Sequence, residues 1–323
     1  MPEQNLTLLI PMYNKSKYIE RMVKSLSEQT YIDRTKIIVT DDCSTDDSLD
    51  VLKKFAGEFH IPMGVKLNRK NLGLSLTIRN MYRMIQTPFW AVLDPDDYYV
   101  DPQRLERAVK FLEDHPDHSM HGCNFVREFE DGHREQAFPD VAKNYSSDNL
   151  TNMPFFQTSS GTFRNFWTHD LLLELERTAG KSRYHFTQGD SFRNFCAINS
   201  GKAYLDNFVG SVYTMGSGIW DTMSPLEKNL MNMVTSYQLF ELARDFFHNP
   251  INANFEIQMA HNLYLQNAEL IRRMMCEHVE DLFHGSNYFK TLVKVPNGDF
   301  EDVLKVMLDY SKRFKELGFG NQK

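Results

Sequence analysis

Over its first 115 or so residues the chain alternates four times between a short apolar run and a stretch with helical spacing. No other feature restricts the fold as much. "LTLLIPMYN" opens with a continuous apolar run closed by Pro11, the pattern of a strand buried on both faces. "SKYIERMVKSLSEQ" then sets Ile19, Met22, Val23 and Leu26 along one helical face. "KIIVTDD" predicts a second buried strand. "STDDSLDVLKKFAGEF" predicts the helix after it, with Ser44 or Thr45 as cap and acids in its first turn. "PMGVKL" with "GLSLTIRNMYRMI" repeats the unit. "PFWAVL" with "DPQRLERAVKFLED" repeats it again, Pro102 falling in the first helical turn. Four such units predict an α/β, Rossmann-like, open and mostly parallel sheet with helices on both faces.

Sheets of this kind bind ligands beyond the carboxyl ends of their strands. That rule places "PMYN", "TDDCSTDD" and "DPDDYY" on one rim. Asp94, Asp96 and Asp97 crowd a segment stiffened by Pro95. Hard cations such as Mg²⁺ or Mn²⁺ take oxygen ligands, often one or two carboxylates plus phosphate oxygens, and the triplet suits such an ion. The plainer reading is a solvated turn, with Asp101 capping the next helix. Asp46 and Asp47 are accounted for as first-turn acids. Asp41 and Asp42 lie earlier, where a carboxylate could accept from a ribose hydroxyl or a base N–H. Arg79, in a helix otherwise spaced for burial, either bridges to a helical neighbour or faces a phosphate. Asp190 follows Gly189 at the head of "QGDSFRNF" and reads either as a helix cap or as a general base.

Beyond residue 120 the alternation loosens. "HGCNFVREFEDG" predicts a strand pair turning at Asp131-Gly132; "WTHDLLLELERT" and "QGDSFRNFCAIN" predict helices; "KAYLDNFVGSVYTM" predicts strands. From Pro225 onward the spacing is mostly helical. One predicted face carries Met259, Leu263, Leu270 and Met274, another Val303, Met307, Tyr310 and Phe314. A boundary near 222 would separate an α/β domain, 1–222, from a helical C-terminal region, 223–323. That region would serve packing or homo-oligomer formation.

Several classes are disfavoured. Thirty-six Lys and Arg against 43 acids leave a net charge of −7, wrong for a nucleic-acid partner. There is no Gly-x-Gly-x-x-Gly and no Gly-rich Lys loop, which argues against dinucleotide oxidoreductases and P-loop enzymes. "PMYNKSKY" has no Gly, against a nucleotidyltransferase built on a Gly-rich loop after its first strand. His115, His118, His121 and Cys123 lack the second Cys pair of a zinc site and read as structural. Cys43, Cys123, Cys196 and Cys276 form no CxxC pair and read as reduced thiols. The N-terminus lacks signal-peptide features, and no window reaches the roughly 18 apolar residues of a span. The expected location is cytoplasmic, at the inner face of a membrane if the substrate is membrane-bound.

Together these blocks resemble the family 2 glycosyltransferases of the GT-A fold, over residues 5 to 220. "IPMYNKSKYIERMVKSLSEQT" is similar to that family's opening block and "KIIVTDDCSTDDS" to its second. "NLGLSLTIRN" is similar to the third block and "WAVLDPDDYY" to the DxD segment. "QGDSF" and "VYTMGSGIW" look like its acceptor-side acid and following loop. The resemblance implies an inverting, metal-dependent transfer from a nucleoside-diphosphate sugar, UDP-type first, to an acceptor hydroxyl. The acceptor would be a glycan, a lipid-linked glycan or a protein, in bacterial surface-polysaccharide assembly, and acceptor binding would be a third role open to the helical region 223–323. It implies that Pro11, Tyr13 and Asp42 hold the nucleoside, and that Asn71 and Arg79 contact base or diphosphate. Asp94 and Asp96 would bracket ribose and a Mn²⁺ or Mg²⁺ ion, Asp97 would support them, and Asp190 would be the base. Two positions depart from the pattern: Cys43 stands where a Gly is usual, and Gly189-Asp190 where a Glu-Asp pair is expected. The alternative is a nucleotide-sugar-binding or scaffold protein that keeps the fold without catalysis.

Overall fold

The computed structural model describes residues 3–139, 142–148, 156–179, 189–218, 221, 223–277 and 300–319. The chain divides into two compact units, Met1–Gly218 and Ile219–Lys323.

The first unit starts with the expected units: β1 (Leu6–Met12), α1 (Ile19–Ser27), β2 (Thr35–Asp41), α2 (Ser48–Glu58), β3 (Met63–Leu67), α3 (Leu74–Tyr82), β4 (Phe89–Val92), the short β5 (Tyr98–Tyr99) and α4 (Arg104–Asp114). After them come β6 (His118–Glu128), β7 (Arg134–Gln136), β8 (Lys143–Tyr145), β9 (Gly161–Arg164), α5 (His169–Ala179), α6 (Asp190–Ser200) and β10 (Lys202–Thr214). The sheet order is β3-β2-β1-β4-β9-β6-β10-β5. The first four strands are parallel, as the repeats require. Beyond them β9 enters antiparallel to both β4 and β6, so the sheet is mixed.

β1 is buried along its whole length because helices cover both faces. Leu6, Leu8, Ile10 and Met12 share a core with Ile19, Met22, Val23 and Leu26 of α1 and with Leu105, Val109 and Leu112 of α4. Burying each such side chain contributes roughly 1.5–3 kcal/mol. Trp90 of β4, fully buried, packs edge-on to Tyr82 of α3 and stacks on Phe163 of β9 at 4.5 Å.

Four local expectations change. Helix α4 begins at Arg104 with Gln103 as its cap residue, so Pro102 lies in the preceding turn and not in the first helical turn. β1 does not stop at Pro11 but runs to Met12. Its pairing with β4 ends at Leu9, so the side that a Pro11 N–H would face has no strand partner and the missing donor is tolerated. Helix α2 begins at Ser48 rather than near Ser44, because Ser44 and Thr45 are bonded to Asp41 and Asn14 instead. "KAYLDNFVGSVYTM" forms one bulged strand, β10. The hairpin turn at Asp131-Gly132 is present, with Gly132 at φ 81°.

The second unit contains α7 (Pro225–Asp245), α8 (Pro250–Glu277) and α9 (Phe300–Glu316). Ser224 and Glu227 close a capping box at the head of α7. Val303, Met307, Tyr310 and Phe314 of α9 are buried as expected. On α8 the face is different: Met259 is 39% exposed, while Ala253, Ile257, Ala260 and Ile271 are buried. Met274 lies outside the residues whose side chains are described. Among the described residues no helix is long and apolar enough to cross a membrane.

Candidate active site

Parallel β1, β2, β3 and β4 deliver their following loops to one rim. The loop after β1 carries Tyr13, which is 42% exposed, and Asn14 at φ 50°. Asn14 staples this loop to the one after β2: its N–H donates to Ser44 Oγ (3.0 Å) and its Oδ1 accepts from the Thr45 N–H (2.8 Å). Asp42 is buried and turns inward. It accepts from the N–H groups of Leu72 (2.9 Å) and Gly73 (2.8 Å) and from Asn68 Nδ2 (2.8 Å), so it shapes the loop between β3 and α3. Asn71 is exposed on that loop and accepts from the Gly73 N–H at 3.0 Å. Arg79 lies half-buried in α3. Burial lowers its pKa from the ordinary guanidinium value, and its buried Nε has no hydrogen-bond partner among the described residues. Pro11 is buried one strand residue before the rim.

The acids follow β4 and do different things. Asp97 is 1% exposed and accepts from Gln157 Nε2 (2.5 Å), Ser159 Oγ (2.7 Å) and the Thr214 N–H (3.0 Å). Burial, then Asp96 and Asp94, raise its pKa well above the carboxylate range. It anchors the turn from below rather than facing a ligand. Asp96 Oδ2 accepts from Lys15 Nζ at 2.5 Å, and the same ammonium donates to the Ser217 carbonyl at 2.7 Å. The Asp96 carbonyl accepts from Arg21 Nη2 (2.7 Å) and Thr214 Oγ1 (2.6 Å), and Arg21 also pairs with Glu128 at 3.0 Å. Asp94 is pushed up to about 7, first by burial and then by the charges of Asp96 and Asp190. That coupling shows the three carboxylates to be electrostatic neighbours, although Asp190 lies 94 residues after Asp96 in the chain.

Asp190 opens α6 and accepts from Arg193, three residues on, and from Thr158. Buried Arg193 also donates to Thr158 at 2.8 Å. Thr158 belongs to the turn that also supplies Gln157 and Ser159 to Asp97. That turn is held by Arg104, buried in α4, which donates to the Ser159 and Gly161 carbonyls, both at 3.1 Å, and to Thr162 Oγ1 at 2.6 Å. One polar turn thus positions acids from two distant parts of the chain. Sequence reasoning missed it, along with Lys15 and Arg193. The only available signal was a polar "QTSS" between "FF" and "GTF".

The donor set fits a hard divalent cation. With Asp97 set aside, Asp94, Asp96 and Asp190 have Lys15 and Arg193 as basic neighbours among the described residues; burial first, then the charges of Asp96 and Asp190, raise Asp94. Among the described residues no three His, Cys, Asp or Glu side chains converge on one point. An ion on Asp94 and Asp96 would therefore complete its shell from a bound anion and water.

The sequence model described as "Glycosyl transferase family 2" matches residues 7–171. The chain belongs to that family. An uncharacterized Mycobacterium tuberculosis protein is 26% identical over 162 residues, 49% of this chain and 46% of its own length. Staphylococcus aureus poly(ribitol-phosphate) beta-N-acetylglucosaminyltransferase TarS is 26% identical over 110 residues, 34% of this chain and 19% of TarS. The chain thus spans less than half the length of these relatives. In three dimensions it is similar to S. aureus TarS 1-349 in complex with UDP-GlcNAc, with TM-score 0.58 and 17% identity over 90% of this chain and 76% of that one. It is also similar to the mannosyltransferase PcManGT of Pyrobaculum calidifontis in complex with GDP-Man and Mn²⁺, with TM-score 0.51 and 16% identity over 86% and 81%. The fold of this family member is therefore of the GT-A type, a mixed α/β sheet followed by helices.

Proposed function

We propose that the protein transfers a sugar, with inversion, from a nucleoside-diphosphate sugar to an acceptor hydroxyl. The observation that carries this reading is that one turn, Gln157 to Ser159, bonds both Asp97 of the acidic segment after β4 and Asp190 at the head of α6, so acids from two distant parts of the chain are gathered. Tyr13 offers an exposed ring to the base, Asn71 a polar side chain on the same loop cluster, and Arg79 an Nε that has no partner among the described residues and can serve a phosphate. Asp42 contributes by holding the 68–73 loop in shape. Asp94 and Asp96 would hold Mn²⁺ or Mg²⁺. That ion, when bound, supplies positive charge against the departing diphosphate. Asp190, oriented by Arg193 and Thr158, takes the proton from the acceptor hydroxyl as that oxygen attacks the anomeric carbon.

UDP is favoured as the donor nucleotide because the UDP-GlcNAc complex of TarS has the higher similarity of the two structures compared. TarS is named for a β-linked product, and the usual UDP-GlcNAc donor is α-linked, which supports inversion. The acceptor enters from the side of the loop after β10, where Phe129, Glu130, Asp131, Met215 and Gly216 line a cavity of about 380 Å³. By the same likeness the acceptor is a surface glycan, lipid-linked glycan or protein handled on the cytoplasmic side of a bacterial membrane. We also infer a domain boundary near 222. Self-association would run through the C-terminal helices, which expose Ile251, Leu265 and Leu308. Light scattering should then show an oligomer that truncation near 222 abolishes.

The direct test of donor use is a thermal-shift panel of nucleotide sugars with Mn²⁺, because a ligand bound only to the folded state raises its stability by mass action. UDP-sugars should raise the melting temperature more than GDP-sugars. No shift with any member would overturn the reading.

A further inference from the structure

Lys15 occupies an unexpected position for a basic residue. Its ammonium sits on the carboxylate oxygen of Asp96 at 2.5 Å and on the Ser217 carbonyl at 2.7 Å. Its side chain is only 19% exposed. The backbone beneath it is fixed, because the Lys15 N–H donates to Ser48 Oγ at 2.7 Å at the head of α2. A fixed backbone with a flexible four-carbon stem lets the charge swing while its origin stays put.

We propose that Lys15 is a donor-binding residue parked on Asp96: it stands in for the divalent cation in the resting enzyme and passes to the donor's diphosphate when the metal arrives. This rests on the nucleotide-sugar reading above. The argument is one of charge and exclusion. A divalent ion and an ammonium cannot share one carboxylate oxygen without strong repulsion, so binding of either displaces the other from Asp96. The displaced ammonium has lost an anionic partner in a half-buried site, and leaving it there unpaired is unfavourable. The only new anion delivered to that rim is the diphosphate, whose oxygens accept from an ammonium as readily as a carboxylate does. Lys15 also links the first loop of the rim to the loop after β10, so its transfer frees Ser217 on the acceptor side as the donor binds.

The idea predicts opposite signs for two affinities. By calorimetry on the full chain, Lys15→Met should bind Mn²⁺ alone about tenfold more tightly than wild type, because the competing ammonium is gone. In saturating Mn²⁺ the same variant should bind UDP about tenfold more weakly, because the diphosphate has lost a partner. Lys15→Arg should keep UDP affinity near wild type. A lysine that merely competes with the metal would tighten Mn²⁺ binding and leave UDP affinity in saturating Mn²⁺ unchanged. A merely structural one would weaken both or neither, and any of those results overturns the proposal. Lys15→Gln provides a second neutral variant should Lys15→Met fail to fold. Failure of wild type to bind UDP or GDP with Mn²⁺ would overturn the nucleotide-sugar reading and the diphosphate half of the proposal. The Mn²⁺ titration without nucleotide would still decide whether Lys15 competes with the ion.

Discussion

Asp190 and Arg193 face each other across the first turn of α6, and Thr158 bonds to both. The guanidinium therefore fixes where the Asp190 carboxylate points, close enough to Asp94 for their charges to interact. Two substitutions separate its chemical role from its structural one. Asp190→Asn keeps the shape and should lower transfer about 10²–10⁴-fold while UDP affinity stays nearly unchanged. Arg193→Ala leaves a carboxylate unpaired and should lower stability by about 2–4 kcal/mol in urea denaturation, somewhat below the fully buried figure. The reduction follows because the Asp190 side chain retains 22% exposure. Normal transfer by Asp190→Asn would remove it from the base role.

Asp94 makes binding and stability pull in opposite directions with pH. Its folded pKa is pushed up to about 7 from 3.8, so between those values the folded state holds a proton that the unfolded state has released. Stability from this group is therefore intact below about pH 3.8 and falls as pH rises toward 7. Cation binding needs the ionised carboxylate and should strengthen over the upper part of that window. Mn²⁺ affinity measured from pH 6 to 8 should rise and then level off. Asp94→Asn should raise the melting temperature at pH 8 by about 2–4 °C, less in acid, and abolish Mn²⁺ binding. A melting temperature lowered at pH 8 would contradict the argument that burial and the neighbouring acids disfavour the Asp94 carboxylate.

Much of the first unit was legible because its strands are short, apolar and regularly interrupted. Leu6 to Leu9 and Trp90 to Leu93 announce burial on both faces, and the rim follows from parallel strand order alone. What stayed hidden depends on contacts between distant segments. Nothing near Asp97 shows that Gln157, Ser159 and Thr214 would absorb it, and nothing near Lys15 shows that Asp96 would be its partner. On α8 the error was one of face. Met259 and Leu263 continue a helical stripe in sequence, but Ala253, Ile257 and Ala260 form the stripe that packs, because small residues let helices approach closely.

Cys43 stands where the sequence resemblance leads one to expect Gly, and its backbone angle suits Gly. It lies at φ 64°, in the left-handed region, where a Cβ crowds the neighbouring carbonyl at a cost of roughly 1–2 kcal/mol. Part of any gain from Gly is offset by the greater freedom of the unfolded chain. Cys43→Gly should therefore stabilise by about 0.5–1 kcal/mol. Cys43→Val, with a β-branched side chain at the same angle, should destabilise. Urea midpoints for the two variants should move in opposite directions around wild type. Equal shifts would mean that the side chain's contacts, not its backbone angle, set the effect.

Glu256 offers a parallel test inside the helical unit, away from any proposed chemistry. It is 7% exposed on α8, and burial pushes its pKa up to about 7 despite a hydrogen bond with Ser236 of α7. An unfolded chain would release this proton near pH 4.5, so the folded helices lose stability as pH climbs from there to about 7. Glu256→Gln keeps a hydrogen-bonding end but cannot ionise. It should stabilise the protein at pH 8 by an amount on the order of 1–3 kcal/mol, and by much less at pH 5. Transfer activity should be unaffected at either pH. A variant that destabilises equally at both would show that the carboxylate has a charged partner, and that burial is not what governs it.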